Sequence, residues 1–305
     1  MARPERRLLY LVHGAASYYH EAAYSILSLW RQPGTADIGI VVVTNDPAPL
    51  QALIGEPPQV RYLIFSPEQR REWQGPIDYV HRMKPRAFGW AIESLAAEGD
   101  PVWAFVDSDT AFTAPPARWL DLVEQGAVVL HAQEGTVQGN RTHSRSQRRP
   151  DDTCRRHALT IRGEPKRIAG DSRMWNSGVI GLRQSQRGIL AETVALIDTL
   201  FPICPIHTVE QVALSLVLQD RGQAVAERDG QMADLPVGET LPEEAARIGI
   251  ESRAERDTRG TIGHDRGTGR DPPISRRRVR IPLRRRSDIG QRPRWTGRRG
   301  RYVPD

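Results

Sequence analysis

Asp107 and Asp109 stand one residue apart at the end of an apolar run, in the stretch "WAFVDSDTAF" spanning residues 103–112. In an extended chain, residues i and i+2 point to the same side, so two carboxylates meet in one small volume. Like charges that close raise each other's proton affinity and cost free energy unless a positive group sits between them. A divalent cation would meet that need, and hard oxygen donors of this kind suit Mg²⁺ or Mn²⁺. An ordinary Asp/Ser-rich turn after a strand is the competing reading, and the elements around the pair decide between the two.

Strand candidates run over Leu8–His13, Gly39–Thr44, Val60–Phe65, Pro101–Asp107 and Ala127–His131. Most are continuous apolar runs without polar alternation, which predicts strands buried on both faces of a largely parallel sheet. Helix-like segments lie between them at Glu21–Arg31, Pro85–Glu98 and Ala117–Glu124, with Pro85 in a first turn and Gly99 as a stop. Two further helices are expected around Gly188–Leu200 and from Thr208, where Thr208 and Gln211 have the form of a capping box. Residues 135–170 are polar and Arg-rich and read as an irregular loop or insertion. The order predicts an α/β fold with a mostly parallel sheet flanked by helices.

Open α/β sheets bind ligands beyond the carboxyl ends of their strands. Asp107 and Asp109 lie at such an end, as do "HGAAS" after the first strand and "TND" after the second. Neither a GxGxxG nor a GxxxxGK[ST] pattern occurs at these turns, which argues against a dinucleotide fold or a P-loop. Without a glycine-rich cradle, diphosphate charge is left to a cation on the two Asp, helped by Arg82, Lys84 or Arg86.

These residues resemble a known group. "FVDSDT" resembles the DxD motif of nucleotide-sugar glycosyltransferases of the GT-A fold. "NSGVIGL", Asn176 to Leu182, resembles the N-[AS]-G-V strand of glycosyltransferase family 8 and its relatives, and Glu210–Gln211 resembles their following D-Q pair. The three occur in the family's order, and the likeness covers about residues 7–220, a Rossmann-like GT-A domain. The resemblance implies transfer of a sugar from a nucleoside diphosphate, UDP first, to an acceptor hydroxyl, with retention if family 8 is the right comparison. Asp107 and Asp109 would hold Mn²⁺ or Mg²⁺ against the diphosphate, with Ser108 between them in the donor site. His13, Gly14 and Ala15 would line the nucleoside pocket, and Thr44, Asn45 and Asp46 would touch base or ribose. Arg82, Lys84 or Arg86 would approach the diphosphate. Asn176 and Ser177 would sit near the sugar and acceptor, and Glu210 or Gln211 near the reacting carbon, as nucleophile, base or positioning group. The family's closing HxxGxxKPW motif has only a loose echo in "HDRGTGRDPP" from His264, which lacks its Lys and Trp.

The chain of 305 residues has a net charge of +6, and its distribution matters more than its sum. Residues 1–221 hold 24 Lys plus Arg against 24 Asp plus Glu, whereas residues 222–305 hold 19 Arg and 13 acids. The tail therefore supplies the whole excess, and the domain of residues 1–221 carries no expectation of nucleic acid. Residues 222–305 show neither helical nor strand period. Three readings stand for them: a disordered basic tail, an ordinary linker, or an out-of-frame segment, the last suggested by 41 Arg against 2 Lys. An out-of-frame tail would leave a transferase without its last metal ligand, folded and inactive. Two cysteines, Cys154 and Cys204, and no signal peptide or membrane-length apolar run predict a cytoplasmic protein, with peripheral contact at the inner membrane face as a variant. His143, Cys154 and His157 fit no common zinc spacing.

Three other functions compete. Haloacid-dehalogenase-type phosphatases place Thr four residues after the first Asp, but Thr110 is three after. A nucleotidyltransferase would show a Gly-rich first loop with a basic residue, which "HGAAS" does not supply. A nucleic-acid-binding protein would work through the Arg-rich tail.

Overall fold

All five residues of Val102–Val106 are buried, and so are six of seven in both Arg6–Val12 and Ile38–Thr44. Strands without a polar face must be covered on both sides, and this sheet is. The computed structural model describes residues 4–139, 145–228 and 232–234. Its main sheet has seven strands in the order β10-β6-β9-β4-β1-β2-β3. They are β1 (Arg6–Val12), β2 (Ile38–Thr44), β3 (Val60–Ile64), β4 (Val102–Val106), β6 (Val128–Thr136), β9 (Arg173–Arg183) and β10 (Val225–Glu227). β1 pairs in parallel with β2 and β4, and β2 with β3. β9 runs antiparallel between β4 and β6, a reversal that apolar patterning does not encode.

Alternate side chains feed two cores. Leu9, Val41, Trp103 and Phe105 face the layer made by α4 (Met83–Ser94), α7 (Gly188–Leu200) and α8 (Val209–Asp220). Leu8, Tyr10, Ile40 and Ala104 face α1 (Ala16–Trp30), α2 (Ala48–Ile54) and α5 (Ala117–Glu124). α1 begins five residues before the expected Glu21. α2 and the short α3 (Pro67–Gln74) fall in stretches where no helix was expected. α3 is opened by a real capping box, Ser66 with Gln69, at 3.2 and 2.9 Å.

The box expected at Thr208 and Gln211 does not form, because Thr208 makes no side-chain cap bond. The Glu210 N–H instead donates to the Tyr79 hydroxyl at 3.2 Å, a cap supplied from 131 residues away in sequence. Gly99 is not the stop of α4, which ends at Ser94 with Leu95 as its cap. Gly99 takes φ +80° in the connection to β4.

Residues 135–170 are more ordered than their composition suggests. They carry α6 (Arg145–Arg156) and a hairpin of β7 (Leu159–Ile161) and β8 (Glu164–Lys166). Cys154, Leu159 and Ile161 anchor this segment in the core. Nor does the fold stop at Gly222: β10 adds to the sheet beside β6, and β11 (Met232–Asp234) pairs with β5 (Thr110–Phe112). Residues 235–305, including His264, lie outside the described residues, as does His143. Among the described residues no helix is long and apolar enough to cross a membrane.

α5 lies close on the sheet because Gly181 of β9 has no side chain. A Cβ there would meet Val123 Cγ2 at 2.8 Å and Val129 Cβ at 3.3 Å. Overpacking of that kind costs about 1–3 kcal/mol, so Gly181→Val should lower the urea midpoint accordingly with an unchanged slope.

Candidate functional site

β4 ends where its hydrogen bonding to β9 ends. The Asp107 N–H donates to Gly178 O at 2.8 Å, and the Asp107 carbonyl then accepts from Thr110 Oγ1 at 2.8 Å. Thr110 thereby locks a tight turn that presents Asp107, Ser108 and Asp109 to one cavity of about 410 Å³ at the carboxyl ends of β1 and β4. The β1–α1 side contributes His13, Tyr18 and Glu21. Val80, His81 and Lys84 form the opposite wall.

Lys84 is the organising charge. It is 9% exposed, and its Nζ lies 2.9 and 3.0 Å from the two carboxylate oxygens of Asp107. It also donates to Ser177 O at 3.2 Å and Ser177 Oγ at 3.3 Å. An ammonium has three N–H donors and no acceptor, so this set of acceptors uses all of them. Burial alone would lower the Lys84 pKa, but the Asp107 carboxylate first, and Glu210 after it, carry it above its usual value. The charge is therefore held firmly in place.

Behind Ser177 stands Glu210, 3% exposed, whose Oε2 accepts from Ser177 Oγ at 2.7 Å. Its Oε1 is buried without a hydrogen-bond partner among the described residues. Burial pushes the Glu210 carboxyl up, outweighing the pull of Lys84 and Ser177.

His13 is held the other way. Burial, with Arg70 second, lowers its pKa to about 4, so the ring is neutral at neutral pH, edge-on to Phe65 at 5.7 Å between centroids. Burial and then the nearby Asp109 charge raise Glu21, which accepts from Ser108 Oγ at 3.3 Å.

Other expected site residues lie elsewhere. Arg82 is buried against α7, its Nε and Nη2 at 2.6 and 2.9 Å from the Asp198 carboxylate and its Nη1 on the carbonyls of Glu72 and Trp73. Arg86 pairs with Glu72 on the far side of α4. Neither lines the cavity, because a helix turns successive residues by roughly 100° and only Lys84 points inward. Thr44 is fully buried and donates to Asp46 O at 2.9 Å. Asp46 Oδ1 accepts from Ala48 N at 3.0 Å to start α2, and Asn45 accepts from Tyr19 at 3.4 Å. None of the three lines the cavity. Gly14, at φ +94°, and Ala15 make the turn from β1 into α1.

Asn176 bridges two features, accepting from Gly178 N at 2.7 Å and donating to Glu134 at 2.9 Å. Gln211 lines a separate small cavity of about 60 Å³ with Glu134 and Trp175.

Several site residues escaped the sequence reading. A Cβ on Gly178 would meet His131 Nδ1 at 2.7 Å, Asn176 Oδ1 at 3.0 Å and Asp107 Oδ2 at 3.4 Å, so this glycine lets three polar groups converge. His131 follows the apolar run "AVVL", but it lies inside β6 and not at a strand end, so the signal that singled out Asp107 does not reach it. Arg228, just after β10, packs its guanidinium against His131 Nε2. Tyr79 gave no signal at all.

No protein-family model matches the sequence, and no curated protein sequence matches it. Solved structures do match. The galactosyltransferase LgtC, in complex with donor and acceptor sugar analogs, aligns with a TM-score of 0.52 and 10% identity over 80% of this chain and 95% of its own. Mouse xyloside xylosyltransferase 1, in its apo form, aligns with a TM-score of 0.46 and 13% identity over 73% and 85%. The likeness to LgtC is one of fold, and the α/β fold of this chain is GT-A-like, as expected from the sequence.

Two outcomes follow from the buried charges. Lys84→Met leaves Asp107 facing an apolar side chain. Breaking a fully buried pair costs about 3–5 kcal/mol, and because Asp107 is 34% exposed a loss of about 2 kcal/mol is expected in chemical denaturation. For Glu210, the folded pKa lies above the ordinary 4.5, so the folded state binds more protons and stability falls as pH rises from 4.5 through the folded value. Glu210→Gln should remove that fall, flattening the melting temperature across the window, as scanning calorimetry would read directly.

Proposed function

We propose that this chain is a metal-dependent glycosyltransferase that moves a sugar from a nucleoside-diphosphate donor, UDP first, to an acceptor hydroxyl. The observation that carries this reading is the cavity beside Lys84, where Asp107 and Asp109 share one wall at the strand ends of a GT-A-like fold. Its volume of about 410 Å³ is within the usual range for small-molecule sites. The neutral His13 ring and the exposed Tyr18 ring are suited to a nucleoside, one by hydrogen bonding and one by stacking.

The donor set fits a hard divalent cation. Asp107 and Asp109 offer carboxylate oxygens, and Mg²⁺ or Mn²⁺ bound by one or two carboxylates completes its shell with phosphate oxygens and water. Among the described residues no third His, Cys, Asp or Glu forms a metal-holding group with them. When bound, the cation supplies Lewis-acid neutralisation of the charge on a departing diphosphate.

The chain's own residues do the rest. Lys84 pairs with Asp107 and orients it, and Glu210 fixes the Ser177 hydroxyl that completes the shell of Lys84. Lys84 has no donor to spare for phosphate, so its role here is positioning. Glu210, being buried, is assigned the same kind of role and not that of nucleophile or base. Asn176 and Gln211 are assigned to the sugar and acceptor side, a reading supported by the small cavity that Gln211 lines with Glu134 and Trp175 and by the hydrogen bond from Asn176 to that same Glu134. The low cysteine count, Cys154 and Cys204 alone, suits a reducing compartment such as the cytoplasm.

Isothermal titration of the full chain with UDP tests the reading. Binding should require Mn²⁺ and weaken at least tenfold in Asp109→Asn. Binding of equal strength without metal, or untouched by the substitution, would sink it.

A further inference from the structure

A second cavity, of about 260 Å³, lies between α3, α4 and α7, away from Asp107 and Asp109. Its walls differ in kind. Leu190, Ala191 and Val194 of α7 form an apolar side. Trp90, partly buried and backed by the buried Trp73, forms an aromatic side, the two ring centroids 5.3 Å apart and the planes tilted by 53°. The rim carries Glu72, Glu93, Arg86 and Arg187, two charges of each sign.

Gly89 opens the floor. It sits in the middle of α4 with helical backbone, and a Cβ there would meet nothing within 4 Å. Glycine is the poorest helix former after proline, and neither a left-handed turn nor a close neighbour calls for one here. What its missing side chain does provide is space beside Trp90. One rim group also has hydrogen-bonding capacity in hand: Arg86 engages Glu72 through Nη2, while its Nε is buried with no hydrogen-bond partner among the described residues.

We infer that this groove is a carbohydrate-binding site for a neutral sugar ring, separate from the nucleotide cavity. An aromatic face beside planar carboxylate and guanidinium groups matches the chemistry of a pyranose, whose C–H face is apolar and whose edge is lined with hydroxyls. Balanced rim charge disfavours an anionic ligand, which would leave Glu72 and Glu93 facing like charge. The volume is below the roughly 300–1,000 Å³ typical of drug-sized ligands, and it suits one ring of a longer chain better than a nucleotide. The groove and the transferase reading stand independently. If both hold, the groove retains part of a glycan whose end is presented to the nucleotide site.

A printed array of neutral oligosaccharides, probed with the full chain, tests the inference. The wild type should retain at least one neutral glycan. Gly89→Leu, which fills the space with a better helix former, should raise the thermal midpoint and lower the retained signal at least tenfold. Trp90→Ala should lower it comparably, whereas Asp109→Asn should leave it unchanged. UDP titration of Gly89→Leu should match the wild type, which separates failure of the groove from failure of the nucleotide site. An array that retains no neutral glycan, or only sialylated or sulfated ones added as controls, would overturn the inference. So would glycan binding that survives Gly89→Leu or disappears in Asp109→Asn.

Discussion

The site depends on a single buried ammonium. Lys84 is one of only 2 lysines in a chain with 41 arginines, and it stands where four elements meet: α4 carries it, β4 ends at Asp107, β9 supplies Ser177 and α8 supplies Glu210. An arginine there would bring a planar fork of five donors, too wide for a space whose acceptors converge on one point. The compact ammonium serves the Asp107 carboxylate, Ser177 O and Ser177 Oγ from one point. Burying a charge is expensive unless it is paired and fully hydrogen-bonded, and this one is both. The cost is repaid in geometry, since Asp107 cannot rotate away from the cavity without stranding Lys84.

The reversal of β9 is what brings these groups together. In a wholly parallel sheet the strand beside β4 would point its carboxyl end toward the cavity. Because β9 runs the other way, its early residues Asn176, Ser177 and Gly178 lie against the end of β4 instead. Gly178 then makes the close approach possible: His131 on one neighbouring strand and Asp107 on the other come within 3.4 Å of the position its Cβ would occupy. The polar end of the sheet is thus built from three adjacent strands, each contributing one or two groups.

Much of this was legible in the sequence, and the reasons are physical. Two carboxylates after a fully apolar strand singled out the end of β4, where both line the cavity, and the runs around Leu8, Ile40 and Val102 declared a doubly covered sheet. The order of "FVDSDT", "NSGV" and "EQ" pointed to the GT-A-like fold. Legibility failed where contacts are long-range. Arg82, Lys84 and Arg86 look equivalent in sequence, but helical rotation sends Arg82 to Asp198, Arg86 to Glu72 and only Lys84 to Asp107. The capping box at Thr208 lost to a tyrosine hydroxyl from residue 79. Residues 135–170 looked irregular because their apolar anchors, Cys154, Leu159 and Ile161, are spaced too widely to give a period. β10 and β11 were hidden by their shortness, 3 residues each.

The disposition of cations bears on how a diphosphate could be held at all. Arg82 is spent on Asp198, Arg86 faces the opposite side of α4, and the donors of Lys84 are used by Asp107 and Ser177. The cavity wall instead carries three carboxylates, Glu21, Asp107 and Asp109. A nucleoside diphosphate entering alone would meet these carboxylates in a partly desolvated space, where charges interact more strongly than in water. A divalent cation carried in with the nucleotide would bring countercharge to those carboxylates. This is the electrostatic ground for reading the site as one that takes its nucleotide together with a divalent cation.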